Sequence, residues 1–243
     1  MGKGIFVTGT DTGVGKTVIA AALILAAQQE GLRVAVLKPV ETGCRRENGE
    51  LLPADGLFLQ RIAGHTTVLD DVVPLRYETP VAPLVAAWIE EKVPDVKSLL
   101  VVFERLRNEF DFVVVEGAGG LLVPISEALS GAAGEFYFMR DLARDFGLPL
   151  VIVGRAGLGT INHTLLSVHE AESAGIRVAG VVLNQSEPIS DTASETNATV
   201  LRKILAGPVF GVFRYLTEKT ASSMDAASKE IDLGRLVRIA QSL

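Results

Sequence analysis

The chain has 243 residues, 48% of them hydrophobic and 21% charged, with a formal net charge of −6 and one cysteine, Cys44. This apolar fraction excludes a disordered chain and suits one generous α/β domain over residues 1–243. The acidic balance argues against general nucleic-acid binding, which needs a basic face, and one thiol excludes a disulfide framework or a cysteine-rich metal site.

Residues 4–8 (GIFVT) read as a buried strand, and residues 16–30 predict a helix closed by Gly31. Residues 33–40 (RVAVLKPV) predict a second strand, and the polar, glycine-bearing stretch 41–56 reads as a mobile loop. Helices are expected over 81–91 and 96–109, then a strand over 111–116 (DFVVVE) and a loop over 126–134. A helix over 135–146, a strand over 149–154, a helix over 160–174, a strand over 177–184, a helix over 192–205 and a strand over 209–212 complete the pattern. The longest apolar stretch of the first third, residues 18–27, is shorter than the roughly 20 residues a bilayer span needs. With no signal-like opening and a lone thiol, a cytoplasmic protein without a membrane segment is expected.

Strands that are apolar throughout need helices on both sheet faces, and strand–helix alternation builds a three-layer α/β fold with a mostly parallel sheet. Ligands of such sheets bind at the carboxyl ends of the strands. The loops after Thr8, Val40, Glu116, Gly154 and Asn184 are therefore expected on one edge.

The strongest signal is residues 9–17 (GTDTGVGKT), a glycine-rich loop between a strand and a helix. Glycines let backbone N–H groups converge on phosphate oxygens, and the helix N-terminus adds partial positive charge. Gly13, Val14, Gly15, Lys16 and Thr17 are the nucleotide-binding candidates, Lys16 for the β/γ-phosphates and the Thr17 hydroxyl for Mg²⁺. The loop is one residue longer than the common P-loop pattern, with five residues between Gly9 and Gly15. Glu116, ending an apolar strand, is a candidate Mg²⁺ ligand, and Gly117, Gly119 and Gly120 after it allow close backbone approach to substrate. Asp55 is a second oxygen-ligand candidate. Lys38 interrupts an apolar strand near the ligand edge, where a buried ammonium needs an anion. Thr42 can offer a hydroxyl to the same place.

Taken together, GTDTGVGKT, KPVETG, Asp55, VEGAGG, GLGTINH and VVLN, in this order over residues 3–215, resemble the dethiobiotin synthetase family. The resemblance implies a P-loop NTPase-like fold and an enzyme that uses ATP, with Mg²⁺, to condense 7,8-diaminononanoate with CO₂ into the cyclic urea of dethiobiotin. It passes through a carbamate and a carbamic-phosphoric mixed anhydride. It implies that Thr12, Lys16 and Lys38 contact substrate and phosphate, and that Thr17, Asp55 and Glu116 hold Mg²⁺. Thr42 would lie near the carbamate. Gly159, Thr160, Ile161 and Asn162 would bind the substrate carboxylate of the neighbouring subunit in a homodimer. Asn184 would contact adenine, which an amide can serve as donor and acceptor. The chain departs from the family pattern at Gly13, at Ala82-Pro83-Leu84 and at Phe213-Arg214.

Other residues read as structural. His163 and His169 are six apart, poor spacing for a shared metal. Asp141 and Arg144 read as surface or helix-cap residues, Trp88 and residues 136–138 as core or subunit interface, and Cys44 as a loop bystander. The main alternative is a dimeric ATPase switch of the partition type, disfavoured because no lysine stands beside Gly9. A glutamine-dependent amidase would need a further domain with a catalytic cysteine, and an intact Lys16, Thr17 and Glu116 disfavour a non-enzymatic regulator.

Overall fold

The computed structural model describes residues 4–65, 67–127, 135–188 and 191–243. In chain order the first half runs β1 (Gly4–Gly9), α1 (Lys16–Gln29), β2 (Val34–Leu37), β3 (Val40–Glu41), β4 (Arg45–Glu47), β5 (Glu50–Leu52), α2 (Ala54–Ile62), α3 (Leu69–Val72), β6 (Leu75–Arg76), α4 (Pro83–Ile89), α5 (Val96–Glu109) and β7 (Phe112–Glu116). The second half runs β8 (Pro124–Glu127), β9 (Phe136–Phe138), α6 (Met139–Phe146), β10 (Leu150–Arg155), α7 (Thr160–Ser173), β11 (Val178–Asn184), α8 (Thr192–Ile204), β12 (Val209–Phe213), α9 (Ala221–Glu230) and α10 (Leu233–Ser242).

Six strands form one sheet in the order β12-β11-β10-β1-β7-β2, each neighbouring pair parallel. Alternate residues of β1 face opposite layers. Ile5 and Val7 pack with α1, α2, α9 and α10, while Phe6 packs with α5 and α6. α7 and α8 cover the β10–β12 end of that second face through Val168, Ala198 and Leu201. This is the three-layer architecture expected from the apolar strands. α1 is buried on nearly every side between the sheet and α9 and α10, which is why its sequence is apolar all round. Each fully buried Ile or Leu there, such as Ile19, Leu23 and Ile24, stabilises by about 1.5–3 kcal/mol.

Because the sheet is parallel, β1, β2, β7, β10 and β11 deliver their following loops to one edge. The phosphate loop, Lys38, Glu116 and the 156–159 turn lie there.

Local structure differs from expectation at several places. The strand expected over 33–40 ends at Leu37, because Pro39 cannot donate to the ladder; Val40–Glu41 instead pairs with Leu75–Arg76. The stretch read as a mobile loop holds the β4–β5 hairpin, turned by Asn48 and Gly49 at φ 51° and 87°, and then opens α2. Asn-Gly is the residue pair such a hairpin turn selects. The helix expected over 135–146 begins only at Met139, since Phe136–Phe138 pairs with Pro124–Glu127. Of the loop expected over 126–134, Ser126 and Glu127 instead end β8, paired with Tyr137 and Phe136, and residues 128–134 lie outside the described residues.

Candidate active site

The start of the phosphate loop is stitched on one side to the loop after β7 and on the other to β10. The Gly9 N–H donates to Gly119 O at 3.2 Å and the Thr10 N–H to Val153 O at 2.9 Å. Gly15 opens α1 with φ 97°, and a Cβ there would come within 2.1 Å of Asn184 Nδ2. Only glycine fits this position. Asn184 is buried and donates from Nδ2 to Val14 O at 3.0 Å, so the end of β11 braces the loop from beneath. Lys16 curls back over the loop and donates to Asp11 O at 3.1 Å. Burial pushes the Lys16 ammonium below the ordinary lysine range, with Glu116 opposing it.

Glu116 is the hub of the site. Its Oε1 accepts from Lys38 Nζ at 2.8 Å and from Thr17 Oγ1 at 3.0 Å. Lys38 Nζ is also 3.3 Å from Asp55 Oδ2. Burial alone would push the Lys38 ammonium down, but Glu116, Asp55 and Glu41 outweigh it and hold it above the ordinary range. Lys38 stands just beyond β2, its backbone tied to Val72 O, so the ammonium is fixed at the strand edge as well as buried.

These groups line a cavity of about 500 Å³ that also reaches Thr12, Thr42 and Gly119. Gly13 and Thr12 lie on the exposed rim of the loop, and Val14 is buried beneath it. The donor set suits a hard cation: Thr17, Asp55 and Glu116 offer oxygens only, and Glu116 Oε2 is buried without a hydrogen-bonding partner among the described residues. No cluster of three or more His, Cys, Asp or Glu side chains among the described residues forms a protein-only cage. Mg²⁺ characteristically binds in this way, through one or two carboxylates together with substrate phosphates and water.

Other candidates lie elsewhere. Asn184 lines a separate cavity of about 320 Å³ with Arg155 and Gly157. Gly159, Ile161 and Asn162 open α7 outside the phosphate-loop cavity of their own chain, Gly159 and Asn162 exposed. Thr160 is buried, its hydroxyl 3.5 Å from that of Thr164. His163 joins Thr12 and Gly120 around a third cavity of about 420 Å³. Phe213 is core, and Arg214 pairs with Glu230 at 2.9 Å. Asp141 caps α6 by accepting from the Phe138 N–H at 2.9 Å. Cys44 is buried, and Trp88 is 54% exposed.

Two charged residues that line the cavity, Glu41 and Lys219, are not among the candidates the sequence offers. Glu41 had a readable signal, an acid directly after a buried strand. Lys219 had none; the turn after β12 brings it to the cavity.

A family model described as an AAA domain matches residues 3–223. An ATP-dependent dethiobiotin synthetase BioD of Thermodesulfovibrio yellowstonii is 41% identical over 98% of this chain and 100% of its own length. The proteins of that name from Clostridium acetobutylicum and Bacillus subtilis are each 34% identical, covering 89% and 91% of this chain and 88% and 91% of their own. Among solved structures, the septum site-determining protein MinD of Pyrococcus horikoshii, complexed with Mg-ADP, matches with a TM-score of 0.56 at 15% identity over 96% of each chain. The ParA protein of pNOB8, bound to nonspecific DNA, matches with a TM-score of 0.58 at 12% identity over 100% of this chain and 99% of its own. Likeness at that identity concerns the fold alone. No helix among the described residues is long and apolar enough to cross a membrane.

Proposed function

The chain belongs to the ATP-dependent dethiobiotin synthetase family, and from that premise we propose how its own residues carry the reaction. The protein is a ligase that forms dethiobiotin at the expense of ATP. The observation that carries the assignment of residues is the meeting of Lys16, Thr17, Lys38 and Glu116 in one cavity at the carboxyl edge of the sheet.

In the proposed sequence, one amine of 7,8-diaminononanoate attacks CO₂ and loses a proton, giving a carbamate. A carbamate oxygen takes the γ-phosphoryl group of ATP, and ADP leaves. The second amine attacks the carbonyl carbon of the mixed anhydride and loses a proton, which leaves with the phosphate, and the cyclic urea closes. The backbone of residues 13–15 and Lys16 hold the phosphates at the N-terminus of α1. Lys38 and Thr12 face the transferred group and stabilise the charge that develops on it, and Thr42 and Gly119 line the carbamate side. Thr17, Asp55 and Glu116 would hold Mg²⁺, which would supply neutralisation of phosphate charge. Most of the acceleration is positioning, so no protein nucleophile is required and the buried Cys44 has no part in it.

Asn184 contacts the adenine while it braces Val14. Gly159, Thr160, Ile161 and Asn162 hold the substrate carboxylate at the N-terminus of α7 for the neighbouring subunit of a homodimer. Their position outside the phosphate-loop cavity of their own chain supports this. So do three exposed leucines, Leu122, Leu158 and Leu166, at 54%, 94% and 60% exposure, which a second copy would cover. We take residues 1–243 as one catalytic unit working in the cytoplasm, where ATP is maintained.

The test is ADP release by the purified protein with ATP, Mg²⁺ and bicarbonate. Release that rises many-fold on adding 7,8-diaminononanoate is expected. Release indifferent to the diamine would refute the assignment.

A further inference from the structure

Glu41 is the acidic side chain of the cavity to which no task has been given. It ends β3, is 7% exposed, and accepts two backbone hydrogen bonds, from Asp55 N–H to Oε1 at 3.0 Å and from Gly56 N–H to Oε2 at 2.9 Å. Asp55 and Gly56 are the second and third residues of α2, and Pro53 before the helix offers no side-chain cap. Helix starts leave their first N–H groups without intrahelical partners and carry partial positive charge. A carboxylate from another strand therefore takes over a capping task that the local sequence leaves undone. Gly56 lets the start of α2 pack against Val73, since a Cβ there would come within 2.1 Å of Val73 Cγ2.

The same carboxylate grips Asp55 from behind. The Asp55 N–H points to Glu41, while its half-exposed side chain reaches Lys38, which in turn reaches Glu116. We propose that Glu41 is a positioning residue, which fixes the first turn of α2 so that the Asp55 carboxylate is held on the Lys38–Glu116 side of the cavity, ready for a divalent cation. The inference rests on the reading of Asp55 as a Mg²⁺ ligand. Outer partners that orient ligands commonly change metal affinity by about 10–100-fold when removed.

The test uses the full chain with a non-hydrolysable ATP analogue and Mn²⁺ as the probe, free Mn²⁺ being measured by electron paramagnetic resonance. Glu41→Asp keeps the charge but is one methylene too short to reach both N–H groups. Glu41→Gln keeps the shape but loses one acceptor. Both variants are expected to weaken Mn²⁺ binding about tenfold, with unchanged affinity for the analogue in the absence of metal. In turnover, the Mg²⁺ concentration for half-maximal rate should rise while kcat at saturating Mg²⁺ stays close to wild type. Wild-type Mn²⁺ affinity in Glu41→Asp would mean that charge alone acts and would overturn the proposal. A lowered melting temperature with unchanged Mn²⁺ affinity in either variant would reduce Glu41 to a helix cap and overturn it too. If Glu41→Asp does not fold, Glu41→Gln decides by the same criterion. Asp55→Asn separates the two levels. Unchanged Mn²⁺ affinity there refutes the ligand reading itself; weakened binding there with wild-type binding in the Glu41 variants refutes only the positioning.

Discussion

Glu116 Oε1 accepts from the Lys38 ammonium at 2.8 Å, with the two side chains only 1% and 6% exposed. A pair this deep gives little net stability, because desolvation offsets most of the attraction. Its retention at the ligand edge therefore points to chemistry. Lys38→Met leaves Glu116 buried and unpaired on that side, and is expected to cost about 3 kcal/mol and to abolish turnover. Lys38→Met with Glu116→Leu should regain most of that stability and none of the activity. Urea unfolding of the three proteins checks this. A double variant as unstable as Lys38→Met would show that the pair serves the fold.

Gly15 and Asn184 are matched. The left-handed φ of 97° at Gly15 and the approach of Asn184 Nδ2 both exclude a side chain. Gly15→Ala should cost about 1–3 kcal/mol in backbone strain beyond the clash and weaken ATP binding at least tenfold. Adding Asn184→Ala removes the clash and leaves the strain, so part of the stability should return. Calorimetric titration with ATP and thermal unfolding measure both; full nucleotide affinity in Gly15→Ala would contradict the loop geometry.

Cys44 provides a pH signature. Burial, with Glu41 adding to it, pushes its thiol up from 9.0 to about 11. The native state thus holds the proton more tightly than the unfolded chain. The associated stability is fully present below pH 9 and is lost as pH rises from 9 to about 11. Cys44→Ala should flatten that decline by about 1–2 kcal/mol, read from urea midpoints at pH 8 and 10.5. The native thiol should also resist thiol reagents at pH 8. Fast native labelling would place it in a different environment.

The proposed sharing of a site between two subunits makes a quantitative demand. On that proposal Lys16→Ala damages the phosphate loop, and Asn162→Ala damages the carboxylate site lent to the partner. In a mixed dimer both lesions fall in one site, and the other site is intact. Random mixing of the two weak variants at equal concentration should therefore restore about one quarter of the wild-type rate, since about half the dimers are mixed and each has one good site in two. A mixture no more active than the average of its parents would place Asn162 in the site of its own chain or outside any site.

Much of the fold was legible because the apolar runs of β1, β7, β10 and β11 and the strand–loop–helix around Lys16 are local signals. α5 follows its predicted limits residue for residue. In the 41–56 stretch the abundance of polar residues masks the Asn48-Gly49 turn of the β4–β5 hairpin. α10 carries a readable helical spacing in Leu233, Leu236, Val237 and Ala240, all fully buried, whereas the short, polar α9 does not announce itself. The bond from Glu41 to the start of α2 and the place of Lys219 are long-range facts of packing, which no local pattern encodes. Lys38 and Glu116 were legible separately, as charges out of place in apolar strands. Their pairing required the parallel register of β2 against β7.

The central claim is that this cavity phosphorylates a carbamate. Its most direct test is a reaction with ¹³C,¹⁸O-labelled bicarbonate, ATP, Mg²⁺ and 7,8-diaminononanoate, followed by mass spectrometry of the dethiobiotin and the released phosphate. The account predicts ¹³C in the ring carbonyl and one ¹⁸O carried from the carbamate into each phosphate. Phosphate free of ¹⁸O, released without labelled dethiobiotin, would mean that water attacks ATP here, and would contradict it.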